Sequence, residues 1–395
     1  MSSYGRLTVK GSKEFDERLG KVLDDISLDV KTLISEDLYE AVILIGGYGR
    51  GEGGVVKVEN REYPHNNFDF IVVSKNITKD EEDLLSDMCK SIFDKHTESL
   101  GIFVEFTVIS ASKLSNIDPL VITYDMKYGH KVIAGNSDCL RKNTNFEVET
   151  IPSWDIRNLI VNRGTLLIIN DLILEKENLV YKDKKTVIKH WIKAIIGYGD
   201  ALLFYLGKYH YSYVEKQKRM RSLSNIDPKF KALYDKAMEF RFQPDYERYD
   251  KFNISKYHNF LKAELTKIHF LCESLALDNV EINSKTYITK AINQSLIDTS
   301  TLKGNIKKIL FLVKKTPKIS GFNFVEDLKY KMLGIKGMMP ILFPFIAYGI
   351  KGKEFDGIVR DFFQTNNDDK NLKNQYLTYW KNYVNSNFIR EDFGI

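Results

Sequence analysis

The chain has 395 residues, of which 43% are hydrophobic and 28% charged, and a net charge of +5. That length predicts roughly two or three domains, each able to bury a core. The weak basic bias admits an anionic ligand but does not point to a nucleic-acid coat. The three cysteines, Cys89, Cys139 and Cys272, match no metal-ligand spacing and fit a reducing, cytoplasmic setting. The first twenty residues lack the basic-then-apolar order of a secretion signal. The apolar stretch 337–350 holds Pro340 and Pro344 and is too short to span a bilayer, so no membrane association is expected.

In chain order, Phe15, Leu19, Val22, Leu23, Ile26, Val30, Leu33 and Ile34 recur at helical spacing and predict one or two helices over 13–40. Residues 41–45 are β-type and apolar. They run into a glycine-dense loop holding Gly46, Gly47, Gly49, Gly51, Gly53 and Gly54. Glycine permits positive φ and close backbone approach, as a phosphate cradle needs, and Arg50 sits inside the loop with its fork of donors. After a polar insert, a second strand runs to Ser74. Alternation puts Asn67 and Asp69 on one face of it, beside the glycines. An amphipathic helix follows over 80–100, with Leu84, Leu85, Met88, Ile92 and Phe93 inward. A third strand over 101–110 carries Glu105 in an apolar run, a costly position unless the carboxylate is paired, hydrogen-bonded or on a metal. A helix end at Gly129 and a short strand over 131–134 complete a small mixed sheet backed by helices. Pro152 marks a boundary near Thr150.

From Ser153 the pattern is helical. One helix is expected over 154–175 and another over 186–206, where Lys189, Lys193 and Asp200 fall within roughly 40° of one another. Such a stripe lines a cleft or is a solvated face. Over 207–221, Tyr209, His210, Tyr211 and Tyr213 are candidates to stack on a base, and Lys216, Lys218, Arg219 and Arg221 to meet phosphates. The structural alternative is core tyrosines and a basic helix C-terminus. Further helices are expected up to Leu277 and over 286–311, 325–333 and 354–383. Residues 316–321 are a candidate break. The expected architecture is α+β: a sheet-bearing core over 1–150, then an α-helical domain over 151–395, divisible into sub-bundles 151–280 and 281–395.

Ile45-Gly46-Gly47, followed by Asn67-Phe68-Asp69 on the next main strand and Glu105 on a later one, resembles the nucleotidyltransferase superfamily of DNA polymerase β. The resemblance covers 41–135. It implies transfer of a nucleotide from an NTP to an acceptor, assisted by two Mg²⁺ ions. Asp69, Glu105 and Asn67 would be the catalytic and metal-binding set. Gly46, Gly47, Tyr48 and Arg50 would bind the nucleotide, with Lys193, then Lys189, added by the helical domain. The pattern departs in its long insert and in Asn67, which replaces an Asp; Asn67 offers an amide oxygen but no charge. The residues rank a small molecule or a protein above tRNA or other nucleic acid as acceptor. Two other readings remain open: an NTP-binding sensor or partner without transfer, prompted by Asn67, and a helical scaffold carrying a degenerate core. The nucleotidyltransferase reading expects Asp69 and Glu105 together on one sheet face and the Lys189–Lys193 face looking at them.

Overall fold

A computed structural model describes residues 3–142, 145–282, 286–298, 316–365 and 369–387. The part of the expected helix 286–311 beyond residue 298 lies outside the described residues. Ser12 accepts from the backbone N–H of Phe15, and Glu14 and Asp16 occupy the first turn, so one helix, α1 (Lys13–Leu33), starts there. Next come β1 (Tyr39–Ile45), the one-turn helix α2 (Gly46–Gly49), β2 (Val55–Val58), β3 (Arg61–Pro64) and β4 (Phe68–Ser74). The glycine-dense stretch, expected as a loop, opens with a helical turn, and the polar insert is the antiparallel β2–β3 hairpin. Helix α3 (Lys79–Leu100) begins at a reciprocal Thr78–Glu81 capping box and stops at Gly101, which has a φ of 67°. Leu84, expected inward, is exposed on it. β5 (Val104–Ser110), α4 (Ala111–Ser115), α5 (Val121–Tyr128) and β6 (Lys131–Gly135) follow.

The sheet order is β5-β4-β1-β6, with β4 and β5 parallel and β1 antiparallel to both β4 and β6. A parallel neighbour needs a crossover, and α3 supplies it. Along β4, Phe68, Phe70 and Val72 face one way and pack with Phe15, Leu19 and Leu23 of α1 and Leu85, Ile92 and Phe93 of α3. Ala41, Ile43 and Val73 face the other way, against Leu114, Met126, Leu140 and Phe146. The fold is thus mixed α and β, with a small four-stranded sheet and a separate two-stranded one.

The later helices are α6 (Ser153–Leu174), α7 (Tyr181–Tyr205), α8 (Tyr213–Ser222), α9 (Pro228–Phe242), α10 (Ile254–Ala276), α11 (Tyr287–Asp298), α12 (Phe324–Ala347), α13 (Lys353–Phe363) and α14 (Asp369–Tyr379). The chain divides into two compact units: Met1–Ile151 with Tyr209–Asp245, and Pro152–Lys208 with Tyr246–Ile395. The segment carrying α8 and α9, which the sequence reading placed in the helical domain, therefore belongs with the sheet. In the second unit Arg157 of α6 binds Glu273 of α10 through two hydrogen bonds of 2.7 and 3.1 Å, both side chains buried. Helix α12 is kinked at Gly334, whose φ is 72°, and continues through Pro340 and Pro344. Among the described residues no helix is long and apolar enough to cross a membrane.

Candidate functional site

Strand register brings the acidic residues together. Ile45, the last residue of β1, pairs with Asp69 on β4, and Asp69 pairs with Glu105 on β5. Paired residues of neighbouring strands project to the same side. Asp69 and Glu105 therefore sit side by side at one end of the sheet, on the face opposite Phe68 and Phe70. Asn67, immediately before β4, donates from Nδ2 to Oε1 of Glu105 at 3.0 Å.

Gly46 follows Ile45 with a φ of 69°, a left-handed conformation that favours glycine. A Cβ at Gly46 would lie 2.7 Å from Oδ2 of Asp69. The glycine is thus needed for both the turn and the close approach of the carboxylate. Burial, and then the neighbouring Glu105, push the Asp69 carboxyl up to about 6, against the pull of Arg241 and Arg50. A partly buried carboxylate beside a second one is a site of negative potential, and its donors are all oxygen. Those properties fit Mg²⁺, which takes hard oxygen ligands from a few carboxylates and completes its shell elsewhere. Asp69 and Glu105 would hold it, with the Asn67 amide oxygen as a neutral third donor. Among the described residues no group of three or more His, Cys, Asp or Glu side chains forms a metal cluster, so the acidic set is this pair.

Two expected ligand contacts are turned inward instead. Tyr48 is fully buried, edge-on to Phe68 at 4.5 Å between ring centroids. Its hydroxyl donates to the Gly54 carbonyl at 2.8 Å and accepts from the His65 N–H at 3.2 Å. It plugs the core beneath the glycine turn because a helical turn at 46–49 points its ring into the sheet. Arg50 is also buried, with Nη2 2.6 Å from Oδ2 of Asp125 on α5. Burial opposes the Arg50 charge, and Asp125 more than offsets that, holding the guanidinium above its ordinary value. Asp125 also accepts from the Tyr209 hydroxyl at 3.0 Å. Arg50 is thus committed to an internal ion pair.

Lys189 and Lys193 are exposed on α7, in the second unit, whereas Asp200, expected on the same stripe, is buried. The aromatic and basic run over 207–221 is largely spoken for within the first unit. Tyr209 is buried, Arg219 binds Glu215 at 2.9 Å, and Arg221 pairs with Asp235. Lys216 is buried over the rings of Tyr209 and Tyr213, at 4.9 and 4.4 Å.

Sequence reasoning missed two residues at this site. Glu52, from the glycine-dense stretch, is buried and accepts from the Ser212 hydroxyl and from the backbone N–H groups of Tyr213, at 2.7 Å, and Val214, at 3.3 Å. It caps the start of α8. Arg241, near the end of α9, lies with its guanidinium carbon 3.9 Å from the Tyr213 ring centroid, and Arg50 lies 4.9 Å from the same centroid. Nη2 of Arg241 is 3.3 Å from where a Cβ on Gly47 would be. Burial alone would raise the Tyr213 phenol, yet Arg241, Arg50 and Lys216 hold it below its ordinary value. No sequence spacing links Arg241 to the glycines. No family, curated protein or solved structure matches this chain.

Proposed function

We propose that the first unit is a nucleotidyltransferase that moves a nucleotide from an NTP to a small-molecule or protein acceptor. The observation that carries this reading is the Asp69–Glu105 pair, in strand register at the sheet end and packed against Gly46. Bound Mg²⁺ would supply charge neutralisation for an attacking oxygen and a leaving pyrophosphate. The chain's own residues do the rest. Asp69 and Glu105 hold the cation, Gly46 lets the backbone turn approach it, and Asn67 keeps Glu105 oriented through its 3.0 Å hydrogen bond.

The same hydrogen bond favours a second reading, an NTP-binding protein with little turnover. Asn67 spends its donor on Glu105 and brings no charge where an Asp would supply one. One experiment separates the two. The protein, Asp69→Ala and Asn67→Asp are incubated with each labelled NTP, Mg²⁺ and a cell extract. Transfer by the protein that disappears in Asp69→Ala supports the enzyme. Transfer by Asn67→Asp alone, with NTP affinity unchanged, supports the binding protein. Absence of label transfer and of NTP binding in all three sinks both.

A further inference from the structure

We infer that Arg241, held in place by Tyr213, is the residue that meets the phosphate chain of an anionic ligand at this site. The family resemblance had suggested Lys193, then Lys189, for that role. The inference rests on the nucleotide reading for the ligand's identity, though not for the geometry of the cation.

Two guanidiniums share the Tyr213 ring, at 3.9 and 4.9 Å, and they differ in one respect. Arg50 is neutralised by Asp125 at 2.6 Å. Among the described residues Arg241 has no hydrogen-bond or ion-pair partner, and its Nε is buried without one. A buried, unpaired guanidinium edge is costly, so its position demands a compensating group. Stacking on Tyr213 supplies part of that and fixes the plane of the fork. The fork's Nη2 end reaches the backbone at Gly47, where the lack of a side chain leaves the approach open. The same charge is felt by Asp69. A ligand that bridges this fork and the Asp69–Glu105 pair needs several oxyanion groups in a row and a divalent cation at one end. A phosphate chain has both properties, and a planar guanidinium binds phosphate oxygens in pairs.

Tyr213 is a positioning residue: it reaches the ligand only through Arg241. Its place depends in turn on Glu52, which caps α8 from the glycine-dense stretch.

The test is calorimetric titration of the full chain with inorganic tripolyphosphate in the presence of Mg²⁺, so that the neighbouring carboxylate pair does not repel the anion. The protein is expected to bind it. Arg241→Gln should bind at least about tenfold more weakly, as expected for loss of a charge-assisted contact. Tyr213→Leu should weaken binding, while Tyr213→Phe, which keeps the ring, restores it. Thermal midpoints check that each variant is folded; should Tyr213→Leu fail, Arg241→Gln and Tyr213→Phe still decide. Unchanged binding by Arg241→Gln, or no binding by the unaltered protein, overturns the inference. NTP transfer by the same proteins tells the two claims apart. Transfer that survives Arg241→Gln with an unchanged KM removes Arg241 and leaves the nucleotide reading. Tripolyphosphate binding through Arg241 without transfer from any NTP keeps Arg241 and removes that reading.

Discussion

Asp69 is partly buried and sits one strand spacing from Glu105, and the cost of its charge there has a measurable sign. The Asp69 carboxyl titrates at about 6 in the folded protein, against an ordinary value near 3.9 in the unfolded chain. Between about pH 4 and pH 6 the folded state therefore holds more protons than the unfolded state, so this group's contribution to stability falls as pH rises through that window. The loss is on the order of 3 kcal/mol once complete. A divalent cation held by the ionised pair would reverse it. Mg²⁺ should thus raise the melting temperature at pH 7 and have little effect at pH 5. Asp69→Asn should be more stable than the parent at pH 7 without Mg²⁺, by about 1–2 kcal/mol, and should not respond to the ion. Melting curves at the two pH values check both; an equal Mg²⁺ shift at pH 5 and pH 7 would falsify the assignment of Asp69 as the ion's ligand.

At the scale of elements, the decisive connection is the cap on α8. Glu52 bonds the Ser212 hydroxyl and the N–H groups of Tyr213 and Val214, so one buried carboxylate satisfies the open end of a helix that starts far along the chain. Glu52→Ala should destabilise the protein by about 1–3 kcal/mol, read from urea unfolding. It should also weaken tripolyphosphate binding, because α8 carries the ring on which Arg241 rests. This is also where the sequence stopped being legible. The strands bearing Asn67, Asp69 and Glu105 could be read because alternation and apolar runs are local signals. Helix α3 was legible in the same way, from the helical spacing of Leu85, Met88, Ile92 and Phe93. The inward turn of Tyr48 and Arg50 could not be read, since glycines signal freedom without saying which way the next side chain points. Arg241 was invisible for a different reason. Its neighbours Gly47, Arg50 and Tyr213 come from two other parts of the chain, and no period connects them.

At the scale of the molecule, each unit is built from two separated lengths of chain. The first unit needs the segment 209–245 to cover this region, so a fragment ending at residue 151 should leave Glu52 without its partners and strip Tyr209 and Tyr213 from the Arg50–Asp125 pair. It is expected to show far lower amide-exchange protection in β1 and β4 than the full protein, and no tripolyphosphate binding. Native-like protection in that fragment would show that the sheet stands without α8 and α9. The alternation of lengths also fixes an order of birth. On the ribosome the sheet and both carboxylates emerge first. Two helices of the other unit come next, and then the pair carrying Arg241. The other described helices of the second unit follow them. Neither unit can close before its neighbour has been started, so the nascent chain carries two open cores at once, and the helices carrying Tyr213 and Arg241 join the carboxylates only after α6 and α7 have been made.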